Sequence, residues 1–424
     1  MKLIRTKGRG AKQSAEILDT LEARARTSLD TVLPAVRRIV ADVRSQGDRA
    51  LLRYAKRFDG LSGPTTLRVS PEEMTAAWNS IDPALRKALS TAAAQIRDFA
   101  ERQLPGSWSG TAAGLTTGQL VRPLESVGCY VPSGRHPLPS TLLMTAIPAQ
   151  VAGVERIVAV SPKPAPETLA AAHLLGITEF YRAGGAQAVA ALAYGTASIP
   201  RISKIVGPGN LYVTAAKRLV AFDCAIDMLA GPTEIVVTSE RGDAADIASD
   251  LVAQAEHDPE ALAIFITTRA ELAKAVIAEA NLRTRNNAAA REALNHKGLA
   301  IVAANIAEAR DITNRLAPEH LTVDASSDLA WVRNAGSVFV GRWSAQPMGD
   351  YISGPNHTLP TGGMARVRGG LSVNDFVKLI TVQEYRAQGL RGLGPQAVLL
   401  AEAEGLTGHA EAIRTRLRTR RFRD

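Results

Sequence analysis

Ala317-Pro318-Glu319-His320 sets a carboxylate beside an imidazole. Such neighbours suit two successive proton transfers, because histidine titrates near neutrality and burial raises a glutamic acid toward it. A Glu-His pair also arises by chance, so the motif alone leaves a structural role open. Four further residues carry donors that a catalytic cation takes. In Leu251–His257 (LVAQAEH), Gln254 and His257 are three apart and share one face if the stretch is helical. Asp350 lies in the loop Met348–His357, and His409 closes Glu404-Gly-Leu-Thr-Gly-His409. Gln254, His257, Asp350 and His409 would form a mixed N/O set, of the open kind that belongs to a working zinc. A solvated helix face for Gln254 and His257, and turn capping by Asp350 and Glu404, are the alternatives.

Two other features could do chemistry. Val206-Gly-Pro-Gly-Asn210 follows a β-rich run and precedes a helix-like stretch, so its backbone N–H groups could meet an anionic or amide-bearing ligand. A plain tight turn accounts for the same residues, and no GxGxxG occurs. Cys129 could be a thiol nucleophile for aldehyde oxidation. It sits among Val127, Tyr130 and Val131 with no adjacent base, which favours a buried structural thiol. His173 and His296 lie in ordinary helical context and His136 in a loop.

These residues need a scaffold. The chain has 424 residues, 46% of them hydrophobic, enough for a large core and too many for a disordered chain. No apolar run is long enough to cross a bilayer, Met1–Arg9 does not resemble a signal peptide, and two cysteines cannot build a disulfide framework. The expectation is a soluble, cytoplasmic protein without membrane contact. Net charge is +9, but Arg414–Asp424 holds six arginines and one aspartate, hence +5 of it. With the other charges interspersed and 4% aromatics, nucleic-acid binding is not expected.

The first hundred residues read as helical, with Pro83–Leu104 the clearest case. From about residue 125, β-rich runs alternate with Ala-rich helical ones. The pairs are Arg156–Val160 with Glu167–Leu175, Glu179–Arg182 with Ala186–Tyr194, and Ile202–Val206 with Tyr212–Val220. A second series follows: Glu234–Thr238 with Ala244–Glu256, Ala263–Thr267 with Ala270–Asn281, then strands at Leu299–Ala303 and Ser337–Gly341. This alternation predicts an α/β fold of two units with parallel sheets and small terminal appendages. Ser344–Gly370, rich in Gly, Pro and Ser, reads as a long functional loop.

In this order the motifs closely resemble the histidinol dehydrogenase family. They are VGCYVPSG (127–134), GGAQAVAALAYG (184–195), VGPGN (206–210), IDMLAGPTE (226–234), DLVAQAEHD (250–258), APEHL (317–321) and GDYISGPNHTLPT (349–361). The resemblance implies two incomplete Rossmann-like domains with small helical N- and C-terminal additions. The expected division is an arm at 1–20, a first discontinuous domain of 21–125 and 235–375, a second, NAD-binding domain of 126–234, and a C-terminal helical tail of 376–424. It also implies zinc on Gln254, His257, Asp350 and His409, one ion per subunit, and catalysis by Glu319 and His320. Tyr130, Gln187 and Asn210 match positions that hold NAD. Ser140, Thr233, His357 and Glu404 match substrate positions, with His320 and the zinc ligands also touching substrate. The implied reaction is the four-electron oxidation of L-histidinol to L-histidine with two NAD, the last step of histidine biosynthesis. The implied assembly is an intertwined homodimer in which Glu404 and His409 reach the partner's site. Thr233 and Thr358 leave a second reading, a related dehydrogenase of another small primary alcohol such as a sulfonated diol. Glu404 and His357 suit a cationic amino alcohol better.

Overall fold

The computed structural model describes residues 1–25, 29–61, 67–133 and 137–418. His136, Gly134 of the VGCYVPSG motif and 419–424 of the basic tail lie outside them. Two six-stranded sheets organise the chain. Sheet I runs, edge to edge, Lys2–Arg5, Leu299–Val302, Leu262–Thr267, Glu234–Thr238, His320–Val323 and Ser337–Val340, all parallel. Sheet II runs Arg68–Val69, Glu179–Tyr181, Arg156–Val160, Ser126–Tyr130, Lys204–Val206 and Ala225–Ile226, parallel except for its first pair. Apolar runs such as Leu262–Thr267 and Ser126–Tyr130 are buried at every position, as strands covered on both faces must be. Each fully buried Leu, Ile or Phe contributes about 1.5–3 kcal/mol.

Both sheets share one winding. From a first strand (Glu234–Thr238 in sheet I, Ser126–Tyr130 in sheet II) the chain steps outward twice through helices. It then returns to the other side of that strand. This is the Rossmann-like order, in which a crevice opens at the carboxyl ends where the winding reverses. The helix-strand alternation read from sequence is thus met nearly residue for residue.

The expected division differs from the packing. Residues 29–61 and 67–100 belong with sheet II. The apolar face of helix Leu33–Gln46 (Val36, Ile39, Val40, Val43) packs into the core of Val158, Val189 and Val213. Helix Pro83–Gln103 packs through Leu89 and Ile96 on Leu142, Leu143 and Ile147. Leu371, Val373 and Phe376 join that same core. The expected arm contains Lys2–Arg5, an edge strand of sheet I, with Ile4 and Leu18 in its core. The expected helical tail begins with a strand, Val377–Tyr385. It pairs antiparallel with Leu115–Pro123, which also pairs with Trp108–Ala112. Helices Ala387–Ala403 and Thr407–Arg418 complete this small module.

Candidate active site

Glu234 opens its strand at the amino end of sheet I, and His320 opens the neighbouring one. Helix Ile306–Leu316 ends in a left-handed Ala317 (φ 45°), which turns the chain so that Pro318 and Glu319 lead straight into that strand. Gly336 must stay bare, since a Cβ there would lie 2.6 Å from the Glu319 carbonyl oxygen. Both members of the pair are buried. Glu319 Oε2 accepts from Thr233 Oγ1 (2.6 Å) and from the Glu234 N–H (2.8 Å). His320 Nδ1 lies 3.0 Å from the Glu234 carbonyl, an acceptor only, so Nδ1 carries the proton and Nε2 is left basic. Nε2 stands 3.6 Å from Asp350 Oδ1.

The electrostatics suit proton transfer. Burial pushes the Glu319 carboxyl up to about 7. Burial pulls His320 down, but Glu319, Asp350 and the Glu234 carbonyl outweigh it and hold the imidazole above its ordinary value. Asp350 is held below the carboxylate range, because His320, His357 and His257 together overcome its desolvation. Burial lowers His357, whose Nδ1 donates to the Asp350 carbonyl at 2.8 Å. A cleft of about 390 Å³ opens beside His320 and His357, walled by Phe339, Trp343, Met348 and Asn356.

Gln254 is buried on helix Ala244–Ala255; its Nε2 donates to Thr233 Oγ1, while its Oε1 has no partner. The helix ends before His257, so these two do not share a helical face as the spacing suggested. His257 lies just past the helix and is exposed, yet close enough to act on Asp350. His257 and Asp350 are thus neighbours, and Gln254 lies one turn back from His257 with its side chain bonded to Thr233. His409 and Glu404 do not join them within the chain: both are exposed on the C-terminal helices, and neither bonds to a site residue. Among the described residues no group of three or more His, Cys, Asp or Glu is gathered to hold a metal. Thr233 has its hydroxyl engaged by Glu319 and Gln254. Ser140 is buried in the first turn of helix Pro139–Ala152.

The NAD candidates line the carboxyl end of sheet II. Tyr130 ends the first strand, and Gly207–Asn210 follows the strand across the reversal. Position 207 (φ 113°) favours glycine, since a Cβ there would lie 2.2 Å from the Tyr130 carbonyl oxygen and force the turn to shift. Asn210 is exposed, and its Oδ1 caps helix Leu211–Val220. Tyr130 Oη accepts from Gly185 N–H, and Gln187 Nε2 donates to Asp59. Residues 227–233 are all that separate this end of sheet II from Glu234, at most roughly 25 Å of extended chain. Cys129 lies inside its strand, fully buried, with its thiol pushed up to about 12, which removes the nucleophile idea. His173 stacks on Trp78, and His296 ends a helix.

Sequence reasoning missed several supports. Lys217 and Asp227 form a buried pair at 2.6 Å, and Asp227 also takes the Gly207 N–H at 2.8 Å, fixing the glycine turn. Asp59 holds Gln187 and the Gly184 N–H. Gln346, fully buried, donates to Asp350 Oδ2 at 3.1 Å. Only Asp227 carried a signal, inside the IDMLAGPTE motif.

Comparison with known proteins gives this geometry its setting. The family model described as histidinol dehydrogenase matches residues 22–417. The chain belongs to the histidinol dehydrogenase family. It is 46% identical to histidinol dehydrogenase of Methanothermobacter thermautotrophicus, over 95% of this chain and 97% of that one. With histidinol dehydrogenase of Geobacillus kaustophilus the identity is 47%, over 90% and 93%. The crystal structure of histidinol dehydrogenase from Elizabethkingia anophelis superposes with a TM-score of 0.91 at 35% identity, over 98% of both chains. As a member of the histidinol dehydrogenase family the chain is an oxidoreductase. Among the described residues no helix is long and apolar enough to cross a membrane.

Proposed function

We propose that this enzyme oxidises L-histidinol to L-histidine in two steps at one site, using two NAD. The carrying observation is that Glu319 and His320, in the motif shared with the family, are both anchored to the backbone of Glu234 with His320 Nε2 left basic. Nε2 takes the hydroxyl proton as the alcohol carbon loses hydride; NAD accepts that hydride when bound. Glu319, tuned to about 7, then draws a proton from water as it adds to the aldehyde. His320, having passed its first proton to solvent, takes the second hydroxyl proton as the hydrate loses hydride, giving the carboxylate.

Zinc fits the residues present. Gln254 offers a buried oxygen without a partner, Asp350 is kept ionised, and His257 lies near both. These would hold the ion, with His409 as a fourth ligand. When bound it would position the amino and imidazole nitrogens of the substrate and stabilise charge.

A second copy would supply Glu404 and His409. Both stand exposed beside exposed Leu399, Leu400 and Leu406, on a module whose strand also exposes Leu379, Ile380 and Val382. Such apolar surface marks an interface. Mixing His320→Ala with His409→Ala protein should regain activity through mixed dimers; no regain would refute the shared site.

The function is tested by NADH formed per molecule of limiting L-histidinol with zinc-loaded protein. Two NADH support the whole reading. One would stop the reaction at the aldehyde and remove the role of Glu319. None would move the substrate to another primary alcohol.

A further inference from the structure

Glu234 contributes more than a strand end. Its backbone N–H holds Glu319, and its carbonyl holds His320. Its side chain, buried, is gripped by Arg24 from the N-terminal segment. Arg24 Nε meets Oε1 at 2.6 Å, and a terminal nitrogen meets Oε2 at 2.7 Å. The guanidinium also donates to the carbonyls of Leu316 (2.6 Å) and Leu21 (2.7 Å), so the fork is locked on both sides. Leu316 is the last residue of the helix that leads to Glu319. Gly362 N–H, from the loop that carries Asp350 and His357, completes the junction on Glu234 Oε1 at 2.9 Å.

We propose that Arg24 is a positioning residue for the catalytic pair, acting through Glu234. A bidentate guanidinium–carboxylate pair fixes both distance and plane, which a lysine would not do. It sets the Glu234 side chain and the end of the 306–316 helix together. The two backbone groups of Glu234 that orient Glu319 and His320 are thereby held against the turn that delivers them. No substrate or metal need touch Arg24. Its removal would also leave the buried Glu234 carboxylate beside Glu319 with no charged partner, only the Gly362 N–H.

This inference rests on the proposed reaction, so one readout of its test is independent of substrate. In Arg24→Ala, kcat for histidinol and for histidinal should fall together by about 10- to 100-fold, as small misplacements of reacting groups cost. KM for each should stay within about threefold, the sign of a lost transition-state interaction, with bound zinc unchanged by metal analysis. Nitrogen-15 spectra of labelled histidine should show the Nδ1–H form of His320 in the native chain and a tautomer mixture in Arg24→Ala. If Arg24→Ala does not fold, Arg24→Lys keeps the charge without the fork, and the same kcat loss and tautomer mixing are expected at smaller size. An unchanged tautomer, or a KM increase at full kcat, would overturn the inference even if the enzyme oxidises histidinol. An unmodified enzyme inert to histidinol but with the tautomer change in Arg24→Ala would instead overturn the substrate and leave the positioning role supported.

Discussion

Sheet II carries the glycine turn Gly207–Asn210 at its carboxyl-end crevice, with Asn210 exposed, whereas the matching crevice of sheet I is occupied by a carboxylate. Asp324 follows the strand His320–Val323 and accepts from Ser239 Oγ, Glu240 N–H (2.8 Å) and Arg241 N–H (3.2 Å). Those are the donors a dinucleotide phosphate would seek at that place. Sheet I instead gathers Glu319 and His320 at its opposite, amino end. There Glu234, the first residue of its strand, holds Glu319 through its N–H and His320 through its carbonyl. One winding thus offers two ends, and which end works depends on a few side chains and on what the connection 227–233 brings alongside.

The hardest blow to this contrast comes from His320→Ala, which should lower kcat by about 10²- to 10⁴-fold while leaving NAD affinity intact. A comparable loss in NAD binding, measured by calorimetry, would merge the two ends into one site. Glu319→Gln should cost about 10²-fold in aldehyde oxidation and far less in alcohol oxidation, so that histidinal accumulates. Equal losses in stopped-flow would dissolve that division of labour. With Glu319 needed as a carboxylate, aldehyde oxidation by the native enzyme should climb with pH through about 7 and then level. The folded state keeps this proton to higher pH than the unfolded chain, whose value is near 4.5. Stability therefore falls as pH rises between the two, and Glu319→Gln should flatten that fall in denaturant titrations.

At the other end, Gly207→Ala meets the Tyr130 carbonyl and should raise KM for NAD about tenfold, or 1.4 kcal/mol, with the histidinol KM less affected. If only the histidinol KM moved, the glycine turn would belong to the substrate. The smallest effect is expected from Asp324→Asn. Its kinetics should match the native enzyme, while stability drops by about 1 kcal/mol as hydrogen bonds to a charge weaken. A changed KM for NAD in that variant would mean that the crevice of sheet I is in use after all.

Much of this was legible in the sequence for physical reasons. Strands covered on both faces are apolar nearly throughout, so Ala263–Thr267 announces itself between Ala-rich helices. Glu319 and His320 are adjacent, so no fold is needed to bring them together. Lys2–Arg5 is too short to show a period, and it pairs with a strand some three hundred residues on. The helices at 33–103 show an apolar face without saying which sheet it covers, and the wrong sheet was expected. Arg24 and Glu234 meet across 210 residues, a contact that no local pattern encodes. The spacing of Gln254 and His257 misled because the helix stops at Ala255.

The edge strand Lys2–Arg5 has a consequence for how the molecule is made. Residue 2 leaves the ribosome early, but its ladder partner Leu299 follows only after all of sheet II has been synthesised. The unit around sheet II, whose core draws on described residues between 29 and 224 and is closed by 371–376, can gather most of its contacts while sheet I is still being translated. Sheet I must then close a loop of some 297 residues, a step that delays folding far more than it costs stability. Arg24, made early, waits for Glu234, so the hold on Glu319 and His320 joins segments made far apart in time.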